Sequence, residues 1–195
     1  RTAAALAPRK VHVVIGHQGE NVKTAVLEEL DEAHADFVWQ NEQLGTGHAV
    51  NSARDFLENE DSTVLILSGD VPMIRAETLA ALVQQHHAHR GKGAACTILT
   101  VKLDDPTGYG RIVRTEEGLF EKIVEQKDAT DEEKRIKEIN SGIYCFDTKK
   151  LFATLSKVKN ENAQGEYYLT DVPALLSASG EAISLYQHHD NYEVE

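Results

Sequence analysis

Apolar positions along this chain alternate between short β-branched runs and stretches with helical spacing. Lys10-Val11-His12-Val13-Val14-Ile15-Gly16 is a β-branched run ending in glycine, which predicts a buried strand. Val22, Val26, Leu27 and Leu30 then recur at helical intervals, predicting a helix capped by Asn21 and running through about Ala33. A second short strand is expected over 36–40, followed by the loop Gln43-Leu44-Gly45-Thr46-Gly47 and a helix over 48–60. Residues 63–68 read as the clearest buried strand, stopping at Gly69-Asp70-Val71-Pro72 ahead of an amphipathic helix over 76–89. Strands and helices alternating at these lengths imply an α/β fold, a mostly parallel sheet flanked by helices.

After Arg90-Gly91-Lys92-Gly93 the pattern changes, because strands over 94–101, 111–114 and 119–125 follow one another without long helices. Thr115-Glu116-Glu117-Gly118 turns the last two into a hairpin, so an antiparallel portion is inserted in the sheet. The charged stretch 128–137 is either a loop or an exposed helix. A strand over 138–146, a helix over 148–157, a polar loop to Tyr168, a helix over 170–179 and a strand over 182–187 complete the chain. No repeat or linker divides it, and residues 1–195 read as one domain.

Composition narrows the chemistry. A net charge of −12 leaves no basic face for nucleic acid or an anionic membrane, so a small anionic substrate has to be held locally by loops, a metal ion or a few cations. No apolar segment approaches the length of a membrane span or a signal-peptide core, and the protein reads as cytoplasmic. Cys96 and Cys145 lie in apolar strands without the spacing of a zinc or redox pair and are expected as buried free thiols.

The candidate chemistry sits at strand ends. Gly45-Thr46-Gly47 is a simple turn or a backbone surface for a base or phosphate. Asp70, just past an apolar strand, either caps a turn or holds Mg2+, an ion commonly bound by one carboxylate plus nucleotide phosphates. Gly110 opens a strand, permitting a bulge or letting a sugar lie against the backbone. Glu125 ends a strand, and Asn140, inside an apolar one, needs a backbone or ligand partner. His86, His87 and His89 end a helix, where its dipole favours partial positive charge, and no Cys or carboxylate nearby completes a metal set.

Six stretches, in this order and spacing, carry a resemblance. They are Gln40-Asn41-Glu42-Gln43-Leu44-Gly45-Thr46-Gly47-His48-Ala49, Gly69-Asp70-Val71-Pro72, residues 103–112 around Pro106-Thr107-Gly108-Tyr109-Gly110-Arg111, residues 123–131 around Val124-Glu125-Gln126-Lys127, Glu138-Ile139-Asn140-Ser141-Gly142-Ile143, and residues 162–171 around Gly165-Glu166-Tyr167-Tyr168-Leu169-Thr170. The set resembles bacterial N-acetylglucosamine-1-phosphate uridyltransferase, the N-terminal half of a bifunctional cell-wall precursor enzyme. The resemblance implies a Rossmann-like nucleotidyltransferase fold that joins UTP and N-acetylglucosamine 1-phosphate, giving UDP-N-acetylglucosamine and pyrophosphate with Mg2+. It implies that Gln40 and the backbone at Gly45 and Thr46 recognise uracil, that Ser68 and Gly69 lie beside the nucleotide, and that Asp70 is the catalytic metal-holding carboxylate. Gly110, Glu125 and Asn140 would contact the N-acetylglucosamine unit. Relatives commonly carry tyrosine where this chain has Ser68.

Family members begin with a strand and a Leu-x-x-Gly-x-Gly-Thr-x-Met loop followed by lysine, which has no counterpart in these residues. A second metal-binding asparagine would fall beyond Glu195, as would the left-handed β-helix acetyltransferase domain through which relatives trimerise. The expectation is therefore a partial nucleotidyltransferase domain with negligible transferase activity by itself. Two alternatives remain open here: a nucleotidyltransferase for another nucleotide and sugar phosphate, and a non-catalytic nucleotide-sugar-binding module.

Overall fold

The computed structural model describes residues 1–30, 33–89 and 93–194. A short helix α1 (Thr2–Ala5) precedes strand β1 (Val11–Ile15), helix α2 (Gly19–Leu27) and strand β2 (Ala35–Trp39). Strands β1 and β2 pair in parallel from Val11 opposite Ala35 to Ile15 opposite Trp39, forming a two-stranded sheet of their own. Helix α2 starts earlier than its sequence suggests. Gln18, with φ +56°, is the N-cap and accepts from Asn21 N, which places Asn21 inside the first turn. The helix ends at Leu27, and the Asp31–Glu32 part of the expected helix lies outside the described residues, as does Arg90-Gly91-Lys92.

The helix expected over 48–60 is two short helices, α3 (Thr46–Asn51) and α4 (Arg54–Leu57). Ser52 Oγ donates to the carbonyl of His48, a back-bond that loosens the helical ladder, while Arg54 reaches across to the carbonyl of Phe152. Next come β3 (Thr63–Ile66), α5 (Ala76–Ala88), β4 (Cys96–Lys102), β5 (Arg111–Arg114) and β6 (Phe120–Val124). A 3-10 turn at Glu133–Arg135 resolves the charged stretch, followed by β7 (Glu138–Asp147), α6 (Thr148–Leu155), α7 (Asp171–Ala178), β8 (Ile183–Gln187) and a 3-10 turn at Asn191–Glu193.

The layering is α/β as expected, but the larger sheet is mixed. Its path runs β6-β5-β7-β4-β8, with β3 joining β7. Strand β8 pairs with β4 in parallel, whereas β3, β4 and β5 all run antiparallel to β7, and β6 antiparallel to β5. The direction of β3 is set at its start: Thr148 donates through its amide and its hydroxyl to the carbonyl of Ser62, fixing Thr63 opposite Asp147. Strand β3 is half-buried along its length rather than fully buried.

Strand β7 is the hub. One edge is occupied by β4 throughout; the other is shared, β5 meeting it at Ile139 and β3 from Tyr144 onward. Between them lies Gly142, with φ +78°, beside a register shift in β4 that Ser141 bridges by donating to the carbonyl of Leu99. Alternate side chains then build a core on each face. Cys96, Ile98, Tyr144 and Phe146 pack against Leu151, Phe152, Val172 and Leu176, while Leu99, Val101, Ile143 and Cys145 pack against Leu79 and Leu82. The two cysteines are free and face opposite layers, and burial pushes the Cys145 thiol up to about 12.

Candidate active site

The sharing of one β7 edge opens a fork, and four of the candidate residues stand in it. Asn140 N donates to the carbonyl of Gly110, which directly precedes β5. Glu125 directly follows β6, whose Val124 lies opposite Arg111, so its carboxylate comes beside Gly110: a Cβ on that glycine would stand 3.5 Å from Glu125 Oε2. Ser68 follows β3 on the other arm, and a Cβ on Gly142 would stand 3.3 Å from the Cβ of Ser68. Glycine at 142 thus serves both its positive φ and this close approach. Ser68, Gly69 and Asp70 are exposed, leading out of the fork.

The Asn140 carboxamide already has partners. Its Nδ2 donates to the Tyr144 hydroxyl at 2.6 Å, and its Oδ1 accepts from Gly142 N at 3.2 Å. One amide hydrogen and one oxygen lone pair remain beyond those two bonds. Glu125 Oε1 accepts from the Thr170 hydroxyl at 2.9 Å. Burial raises the Glu125 carboxyl above its ordinary value, the Thr170 bond opposes this, and the carboxylates of Asp128, Asp171 and Glu166 add to the rise. Burial raises Asp171 likewise, with Asp128 contributing. Such a carboxylate, short of positive neighbours, gains from any ligand hydroxyl that donates to it.

Gln40, Gly45 and Thr46 form a second group. Gln40 Nε2 reaches the carbonyl of Gly45 at 3.3 Å and His48 Nδ1 at 3.0 Å. Gly45 has φ +106°, and a Cβ there would lie 2.7 Å from the carbonyl oxygen of Tyr167, so only glycine fits. Tyr167 N donates to the carbonyl of Leu44, Gly47 N to the carbonyl of Tyr167, and Leu169 N to the Thr46 hydroxyl. The segment carrying Tyr167 to Thr170 thus connects the glycine loop to Glu125.

Two cavities accompany these groups. One of about 500 Å³ lies among Gly16, His17, Trp39, Gln40, Asn41 and Gln43, where β1 and β2 end. The other, of about 210 Å³, includes Glu125, Asp128, Asn162, Tyr168 and Asp171 in its wall. Neither of these two is lined by Ser68, Asp70, Gly110 or Asn140. Thr170 and Tyr144, which hydrogen-bond Glu125 and Asn140, are partners that the sequence pattern did not single out. The Tyr167-Tyr168-Leu169-Thr170 run, polar and aromatic directly before a helix, is the signal that marks the first of them.

Asp70 makes no hydrogen bond or ion pair among the described residues, where no group of three potential ligand side chains occurs either. A single free carboxylate fits an ion that draws its other oxygens from phosphates and water, as Mg2+ does. His86, by contrast, is buried with Nδ1 3.0 Å from the Thr97 hydroxyl, and His87 Nε2 meets the Thr63 hydroxyl.

The fold has known counterparts. HddC from Yersinia pseudotuberculosis complexed with GMP-PN superposes with a TM-score of 0.63 at 17% identity, over 96% of this chain and 73% of that one. UDP-glucose pyrophosphorylase complexed with UDP-glucose gives 0.62 at 19%, over 91% and 72%. At those identities the likeness concerns the fold alone. The sequence decides the family, because the nucleotidyl transferase family model matches residues 2–192. The chain belongs to the nucleotidyl transferase family. Within it, the chain is 52% identical over 179 residues to the bifunctional protein GlmU of Bacillus cytotoxicus and of Bacillus mycoides. That stretch is 92% of the chain and 37% of each relative, so this family member spans little more than a third of the length of those proteins. No helix among its described residues is long and apolar enough to cross a membrane.

Proposed function

We propose that this chain serves uridylyl transfer from UTP to N-acetylglucosamine 1-phosphate, giving UDP-N-acetylglucosamine and pyrophosphate for cell-wall precursor synthesis. The observation that carries the reading is the fork at β7, where Gly110, Glu125, Asn140 and Ser68 come together from four distant stretches. The 52% identity to bifunctional GlmU proteins supports the same assignment.

In this reading Glu125 accepts from sugar hydroxyls, Asn140 uses its remaining amide valences on the acetamide, and Gly110 lets the ring lie against the backbone. An analogue lacking those groups strands buried polar atoms and is rejected. Gln40 and the Gly45-Thr46 backbone face the base, with the larger cavity at the ends of β1 and β2 beside them. Asp70 is the residue that would hold Mg2+, which when bound supplies charge neutralisation for the phosphates. The chain's own task is to align two phosphorylated substrates, since phosphoryl-type transfer needs positioning more than a protein nucleophile. Two buried free thiols suit a reducing compartment, in keeping with work in the cytoplasm.

The test is equilibrium binding of nucleotide sugars to the chain by calorimetry. UDP-N-acetylglucosamine is expected to bind more tightly than UDP-glucose, CDP-glucose or GDP-mannose, with the advantage over UDP-glucose lost in Asn140→Ala. Equal binding of all four would remove the assignment.

A further inference from the structure

A buried carboxylate, Glu193, is not among the residues given a role above. Glu193 is 2% exposed, and its Oε2 accepts from the Thr78 hydroxyl at 2.7 Å and from Arg75 N at 3.1 Å. Its Oε1 faces Arg75 Nε at 3.4 Å and His188 Nε2 at 3.2 Å. Asp190 takes the other end of the same arginine, its Oδ2 lying 2.7 Å from Arg75 Nη2. Burying a carboxylate is costly unless donors satisfy it, and here they come from two residues, Arg75 and Thr78.

The position of those donors gives the arrangement its meaning. Arg75 is the N-cap of α5, and that helix has no side-chain cap from its own N-cap residue. In a capping box, a Glu at the third helical position returns to the N-cap amide. Here Thr78 stands at that position, and Glu193 receives both its hydroxyl and the Arg75 amide from 115 and 118 residues away. The next residue, Val194, packs in the same apolar cluster as Val71 and Ile74. Asn191 Nδ2 donates to the carbonyl of Lys102, anchoring the turn that carries Glu193 to the end of β4. The segment leaving Asp70 is therefore held at Val71, Ile74, Arg75 and Thr78 by the turn around Glu193.

We infer that Glu193 is a positioning residue for Asp70, fixing the Val71–Thr78 segment so that the otherwise unpartnered Asp70 carboxylate is presented in one place to a divalent cation. The inference rests on the reading of Asp70 as the metal-holding carboxylate. A residue bonded directly to a metal ligand changes metal affinity by about 10–100-fold when removed, and Glu193, which reaches Asp70 only through the Val71–Thr78 segment, is expected at the low end of that range.

The test titrates the full chain with Mn2+ in the presence of UDP-N-acetylglucosamine, following water-proton relaxation. Glu193→Ala is expected to weaken Mn2+ binding by about tenfold, whereas Glu193→Gln, whose amide oxygen still accepts from Arg75 and Thr78, restores most of it. Metal-free binding of UDP-N-acetylglucosamine stays unchanged, which a general loss of structure would not allow. Wild-type Mn2+ affinity in folded Glu193→Ala overturns the inference. Should that variant fail to fold, Thr78→Val decides: weaker Mn2+ binding supports the inference and an unchanged affinity overturns it. Asp70→Asn, run alongside, separates the two readings. If Asp70→Asn loses the metal and Glu193→Ala does not, only the positioning role falls; if Asp70→Asn binds as wild type, both fall.

Discussion

The Thr170 hydroxyl donates a 2.9 Å hydrogen bond to Glu125 Oε1, joining the N-cap of α7 to the residue that directly follows β6. Because burial holds the Glu125 carboxyl above its ordinary value, its charge subtracts from stability. That penalty is absent below the ordinary carboxylate range and complete once pH exceeds the folded pKa. The Thr170 bond reduces it.

Thr170→Val is therefore expected to raise the Glu125 pKa further and to destabilise the fold by about 1–2 kcal/mol at pH 7, and by less at pH 4, where the carboxyl is protonated. Urea unfolding at both pH values measures the difference. Equal losses at the two would show that the charged form does not depend on Thr170.

Gly45→Ala is expected to undock the glycine loop, because its Cβ would meet the Tyr167 carbonyl at 2.7 Å and the backbone has φ +106°. Faster hydrogen exchange at the Tyr167 and Leu169 amides, which donate into that loop, is the readout. Gly118→Ala is the control, with φ +79° but nothing within 4 Å of the added carbon, and leaves those amides protected.

His86 is held down to about 4, chiefly by burial and secondly by His87. Since the unfolded chain takes up this proton at ordinary imidazole pH and the folded one does not, His86 costs stability progressively as pH falls from the ordinary value of 6.5 through about 4. NMR titration of the His86 ring is expected to show a midpoint near 4. A midpoint near 6.5 would contradict the burial of this ring against Thr97.

Arg114 forms a two-nitrogen pair with Glu138, which is 6% exposed and otherwise receives the Thr100 hydroxyl. Arg114→Leu leaves that carboxylate short of its cation and is expected to cost about 3 kcal/mol by denaturant unfolding. Arg114→Leu combined with Glu138→Leu is expected to recover much of the loss.

Much of the fold was legible because the strands are β-branched runs with clear ends: β1, β2 and the β5-β6 hairpin fall within a residue or two of their expected places. The direction of β3 was not legible, since it is decided by Ser62 meeting Thr148, 86 residues on. The break between α3 and α4 likewise depends on a back-bond from Ser52 and a reach by Arg54. In the candidate site, Gln40, Gly45, Gly110, Glu125 and Asn140 stand out as glycines or polar groups closing apolar runs. Thr170 is marked only by the polar, aromatic run before α7, and Tyr144 and Glu193 lie in unremarkable stretches, each defined by what it touches.

The shared edge of β7 makes that strand a ruler graduated separately for two segments. An insertion between Ile139 and Gly142 would offset Gly110 by one pleat and leave β3 where it is; an insertion between Ile143 and Asp147 would do the reverse. The bank of Gly110 and Glu125 and the bank leading to Asp70 are thus placed by separate lengths of one strand.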